Sequence, residues 1–250
     1  MRFRQISLTL AGLAALAVSP FMIEPTAARP TGTTAMVAPE LVPSPRPDRP
    51  DRLTGIAHVV DGDTIDVAGR RIRLEGIDAP ETGQTCERRN REPWACGTDA
   101  TGLLLQLVGR AEIACVVRGS DVYGRALATC YNNGRDINAE MVRQGLAWAF
   151  VKYSSTYVAE EAAARRSGLG IWQGTAQEAW AYRASRWTQA SETAPAGCAI
   201  KGNVSHSGRI YHMPWSPWYG KVVMRSDKGT RWFCSETEAQ AAGWRPVQGY

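Results

Sequence analysis

Asp61-Gly62-Asp63-Thr64, then Arg73, then Asp78-Ala79-Pro80-Glu81 and finally Tyr123-Gly124-Arg125 are the residues of this chain whose types and order can do chemistry together. Their carboxylates suit a hard cation and a proton acceptor, and their guanidinium forks suit the oxygens of a phosphodiester. Such a diester resists attack because it is anionic and its leaving oxygen is poor. Cleaving it requires charge neutralisation and an oriented water. Each fragment alone says little, since Asp-Gly is usually a turn and Asp-Ala-Pro-Glu can simply end a strand.

Positioning these groups is the task of the flanking elements. Leu53 to Val60, Thr64 to Val67 and Arg71 to Ile77 read as three short strands, the last two joined by a turn at Ala68-Gly69-Arg70. The acidic pairs therefore fall at strand ends, where functional groups concentrate on a rigid scaffold. Gly97 to Val108 carries Ala100, Leu103, Leu104 and Leu107 at helical spacing. Two further strands follow at Ala111 to Val117 and Arg125 to Tyr131. A second helix bears Ile137, Met141, Val142 and Leu146, with Asp136 and Asn138 as candidate caps. A third runs from Tyr157 to Ser167, acidic at its start, basic at its end and stopped by Gly168. Five strands and about three helices in this order predict an α+β fold, a five-stranded OB-type β-barrel, of the kind whose open face commonly handles nucleic acids.

Taken in order, these motifs from Ile56 to Trp172 resemble the staphylococcal (micrococcal) nuclease or thermonuclease-like family. The resemblance implies the same barrel and a Ca²⁺-dependent endonuclease acting on DNA and RNA. It implies Asp63, Asp78 and the main-chain carbonyl of Ala79 as metal ligands, Ala79 standing where family members often carry threonine. It further implies Glu81 as the base that takes a proton from water, Arg73 and Arg125 as the phosphate clamp, and Tyr123 as a nucleotide contact. Asp61 is expected to support the metal loop. At Val122 the staphylococcal pattern has a lysine, which bears on substrate affinity. Trp148, Phe150, Tyr153 and Tyr157 read as packing residues rather than as a base-binding row.

The first fifty residues do not look fit for a core. A basic start, an apolar run from Ile6 to Val18 and small residues at Pro25-Thr-Ala-Ala28 read as a secretory signal over residues 1–28, with an uncleaved anchor as the lesser reading. A Pro-rich linker occupies 29–52. The protein is thus expected to be secreted or periplasmic, with no stable membrane partner and as a monomer. The formal net charge of +5 falls to about +4 without the signal, a weak pointer to anionic partners. An even count of six cysteines in an exported chain points to disulfides, expected as Cys86–Cys96, Cys115–Cys130 and Cys198–Cys234. A zinc site is the alternative, but the close Cys or His pairs it needs are absent.

The organisation that follows is a nuclease-like domain at 53–174, a helical spacer at 175–197 and a small Gly- and Trp-rich module at 198–250. Two other readings stay open. One is a catalytically silent OB-fold module that binds nucleic acid or an envelope polymer, and the other is a structural Ca²⁺ site in an interaction protein.

Overall fold

The computed structural model describes residues 51–247. The expected signal and nearly all of the Pro-rich linker lie outside those residues. Strands β1 (Asp51–Val59), β2 (Thr64–Val67) and β3 (Arg70–Leu74) form an antiparallel meander. The β2–β3 hairpin turns on Ala68 and Gly69, both with positive φ, as a tight two-residue connection demands. Helix α1 (Cys96–Val108) crosses to β4 (Glu112–Ser120) and β5 (Ala126–Asn132). β4 pairs with β1, and β5 pairs with β4 and in parallel with β3, which closes a five-stranded barrel. Alternation along the strands turns Ile65, Val67, Ile72, Leu74, Ile113 and Cys115 inward, where they meet Ala100 and Leu104 of α1.

One predicted strand ends early. The segment expected to continue to Ile77 stops at Leu74, because Gly76 takes a positive φ of 77° and turns the chain away. Ile77-Asp78 then pairs with Trp148-Ala149 instead, with Asp78 opposite Trp148. This separate bridge is what aims Asp78. Helix α2 (Ile137–Arg143) is capped by Asp136, whose carboxylate accepts from the Ala139 amide at 2.9 Å. Asn138 is not a cap, contrary to expectation. It is fully buried, accepts from Cys130 N–H and donates to the carbonyls of Glu75 and Ala128, tying α2 to β5 and to the Gly76 turn. Lying inside the helix, it faces the barrel instead of the free N-terminal amides. Helix α3 (Val158–Ser167) stops at Gly168 in the left-handed conformation.

Helix α4 (Ala179–Thr193) occupies the expected spacer. Its first residue joins a cluster with Trp94, Trp148, Ile171 and the Cys86–Cys96 bridge, and Trp180 stacks on Phe150 at 5.4 Å. Its far end, with Trp187 and Ala190, packs into a second small core around Tyr219. Beside it stands a four-stranded sheet of β6 (Ile200–Ser205), β7 (Gly208–His212), β8 (Arg231–Phe233) and β9 (Arg245–Pro246), with α5 (Glu236–Ala241), whose core is Ile200, Tyr211, Phe233, Ala239 and Trp244. α4 is therefore a strut gripped at both ends rather than a loose tether. All three expected disulfides form. Among the described residues no helix is long and apolar enough to cross a membrane.

Candidate active site

The β2–β3 register sets Thr64 opposite Arg73 and brings Asp63 and Arg73 to one end of the barrel. The Asp63 carbonyl accepts from Leu74 N–H at 2.8 Å, and the Asp61 carboxylate accepts from the Asp63 amide at 3.1 Å, so Asp61 braces the loop. Gly62 is required by space, since a Cβ there would lie 2.8 Å from that of Ala79. This close approach lets the buried Ala79 donate its N–H to Asp63 Oδ2 at 2.9 Å and locks the two acidic segments together.

Arg73 lies between the two buried aspartates. One Nη contacts Asp63 Oδ1, and Nη2 sits 2.6 Å from Asp78 Oδ1. Buried charges persist only when paired and hydrogen-bonded. Glu81 follows on a turn held by Gln84, whose buried amide accepts from the Glu81 N–H at 3.2 Å and donates to the Gln177 carbonyl at 2.6 Å. Beneath this turn Gly97 leaves no room for a side chain, as a Cβ there would fall 1.7 Å from the Glu81 carbonyl oxygen. Burial pushes the Glu81 carboxyl up to about 7, against the opposing pull of Arg183. Burial also raises Asp61, against the opposing charges of Arg73 and Arg125.

Arg125 stands across the cleft, its Nε 2.7 Å from Asp121 Oδ2 and its guanidinium over the Tyr123 ring at 5.5 Å. Tyr123 is exposed and Val122 more so. Asp61, Asp63, Arg73, Glu81, Tyr123 and Arg125 all line one cleft of roughly 1440 Å³. Asp78 sits behind it, fully buried. Of the four aromatic residues read as packing, Trp148 and Tyr157 are buried in the core, whereas Phe150 and the exposed Tyr153 line the cleft.

Two cleft residues escaped the sequence reading. Asp121 orients Arg125 and forms the turn before it, accepting from the amides of Tyr123 and Arg125. Its place four residues before the arginine was the available signal. Arg183 arrives from α4, outside every motif. Its Nη1 lies 3.0 Å from Asp78 Oδ1 and 2.8 Å from Glu81 Oε1, and its Nη2 lies 2.8 Å from Asp78 Oδ2. Burial alone would lower its basicity, but hydrogen bonding and charge from Asp78 and then Glu81 outweigh this and raise it. Across the cleft, the β6–β9 sheet and its loops contribute Met213, Trp215 and Trp218 to the lining.

Among the described residues no group of three or more Asp, Glu, His or Cys side chains is arranged as a metal centre. The expected set is smaller, two carboxylates and a backbone carbonyl. Both carboxylates are buried with guanidinium cations against them. An all-oxygen cluster that draws positive charge into the interior fits a hard divalent cation that keeps several waters.

The closed five-stranded barrel, with these paired carboxylates and arginines at one end, is an OB-type fold. The family model for staphylococcal nuclease homologues matches residues 71–174, and a second, ArfC, matches residues 179–246. The chain is 36% identical over 157 residues to micrococcal nuclease of Shigella flexneri, covering 56% of this chain and 82% of that protein. It is 32% identical over 137 residues to succinoglycan biosynthesis protein ExoI of Rhizobium meliloti (strain 1021), covering 54% of this chain and 72% of that one. An uncharacterized endonuclease of Haemophilus influenzae is 33% identical over 47% of this chain and 64% of its own length. The chain belongs to the staphylococcal nuclease family. The family match contains Arg73, Asp78, Glu81, Tyr123 and Arg125, whereas Asp61 and Asp63 lie just before it. The ArfC match begins at the first residue of α4.

Proposed function

We propose that the protein is an exported, Ca²⁺-dependent nuclease that hydrolyses phosphodiester bonds of DNA and RNA. The observation that carries this reading is the convergence of Asp63, Asp78, Arg73, Glu81 and Arg125 on one end of the barrel. Asp63, Asp78 and the Ala79 carbonyl would hold Ca²⁺, which when bound would supply charge neutralisation at the phosphate and a site for water. Glu81 accepts the proton of the attacking water, a task suited to a carboxyl held near neutrality. Arg125, fixed by Asp121, and Arg73 grip the phosphate oxygens, and Tyr123 contacts the nucleotide beside them. The signal at 1–28 directs export, and three disulfides suit an oxidising compartment.

The silent-module alternative is disfavoured because each proposed catalytic side chain is present and lies at the site. Incubation with single-stranded DNA and with RNA, in Ca²⁺ or in chelator, tests the reading. Cleavage in Ca²⁺ that ceases in chelator supports it. Binding without cleavage, or cleavage indifferent to chelation, contradicts it.

A further inference from the structure

Arg183 makes the contacts of a cation at the centre of the acidic cluster. Asp78 is fully buried, and Arg183 engages both of its oxygens in a fork, at 3.0 Å to Oδ1 and 2.8 Å to Oδ2. Arg73 takes a second position on Oδ1 at 2.6 Å. The same Nη1 of Arg183 bridges to Glu81 Oε1 at 2.8 Å, so one guanidinium spans the carboxylates assigned above to metal and to base. Planar forks of this kind are among the strongest partners a carboxylate finds. The helix that carries Arg183 is fixed, because α4 is anchored by Ala179 and Trp180 against the barrel and by Trp187 and Ala190 in the C-terminal core.

We infer that Arg183 is a built-in competitor for the divalent cation, delivered by the appended helix α4, which sets the metal affinity of the nuclease site. The inference rests on the proposed Ca²⁺ reading. A cation that ligates Asp78 needs lone pairs that Arg183 now holds, and positive charge of the guanidinium repels it at short range. Metal binding must therefore displace the fork, and the two events are linked with equal strength in both directions. A barrel without the appended helix has no Arg183 equivalent from this direction. The appended helix thus makes the site conditional on cation concentration rather than merely bridging two cores.

The test is isothermal titration calorimetry of CaCl₂ into the wild-type protein, Arg183→Gln, Arg183→Lys and Asp78→Asn, without nucleic acid. Arg183→Gln should bind Ca²⁺ roughly tenfold or more tightly than wild type. Arg183→Lys, which keeps the charge but loses the fork, should fall between them and carries the comparison if the glutamine variant does not fold. Asp78→Asn should lose binding. Ca²⁺ affinity that is unchanged or weaker in both Arg183 variants, while Asp78→Asn still abolishes it, overturns the inference and leaves the metal reading standing. No Ca²⁺ binding by wild type or either Arg183 variant overturns both.

Discussion

Gly97→Ala should damage catalysis through geometry alone. The added Cβ would lie 1.7 Å from the Glu81 carbonyl oxygen and 2.6 Å from its carbonyl carbon, and real Cβ contacts almost never fall below 3.0 Å. The helix and the Glu81 turn must therefore separate by about 1.3 Å. Because the obstacle is backbone, no side-chain rotation relieves it. Glu81 moves with its main chain, and its 2.8 Å contact with Arg183 stretches beyond hydrogen-bonding range. A misplacement of ~1 Å costs on the order of 10²-fold in rate, so kcat should fall about a hundredfold while KM changes little. Stability should drop by roughly 1–3 kcal/mol from overpacking. Gly102→Ala on the same helix is the control: nothing lies within 4 Å of its Cβ, and that variant should be slightly more stable with unchanged kcat. Steady-state cleavage of single-stranded DNA in Ca²⁺, with thermal unfolding of each variant, decides the matter. A folded Gly97→Ala protein with kcat within threefold of wild type would refute the link between this close approach and the placement of Glu81.

Asn138→Ala removes three hydrogen bonds, two of them buried, and leaves main-chain groups of Cys130 and Glu75 without that partner. It should destabilise the fold by about 3 kcal/mol, measured by denaturant unfolding. The Glu81 carboxyl, raised from its ordinary value to about 7, favours the folded state while protonated. That contribution is fully present below the unfolded value and is lost as pH rises through about 7. In chelator, Glu81→Gln should therefore gain in Tm relative to wild type as pH is raised from about 5 to 8. A difference that does not vary with pH contradicts the shift.

The barrel was legible because its signals are local. Alternation in Thr64 to Val67, helical spacing in Ala100 to Leu107 and the Gly168 stop each act within a few residues. The motif residues Asp63, Arg73, Asp78, Glu81 and Arg125 were legible as an ordered set, since strand ends bring them to one place. Cys115 and Cys130 could be paired because two adjacent antiparallel strands set them directly opposite. What sequence could not convey depends on contacts between distant segments. Arg183 lies more than one hundred positions from Asp78, on a helix that the sequence marks only as a spacer. Asn138 looked like a cap because its type and place suit one, and only the tertiary position of α2 gives its amide three main-chain partners. The Gly76 turn that ends β3 early likewise lies against a distant segment, the Tyr157 ring standing 3.1 Å from where a Cβ would be.

In the proposed function Glu81 serves as the base of a Ca²⁺-assisted phosphodiesterase. The most direct test of that role compares wild type and Glu81→Gln for Ca²⁺ binding by calorimetry and for single-turnover cleavage of single-stranded DNA. Ca²⁺ binding is expected in both proteins, with cleavage slowed by roughly 10²-fold or more in the variant. Glu81→Gln cleaving at the wild-type rate would contradict that role.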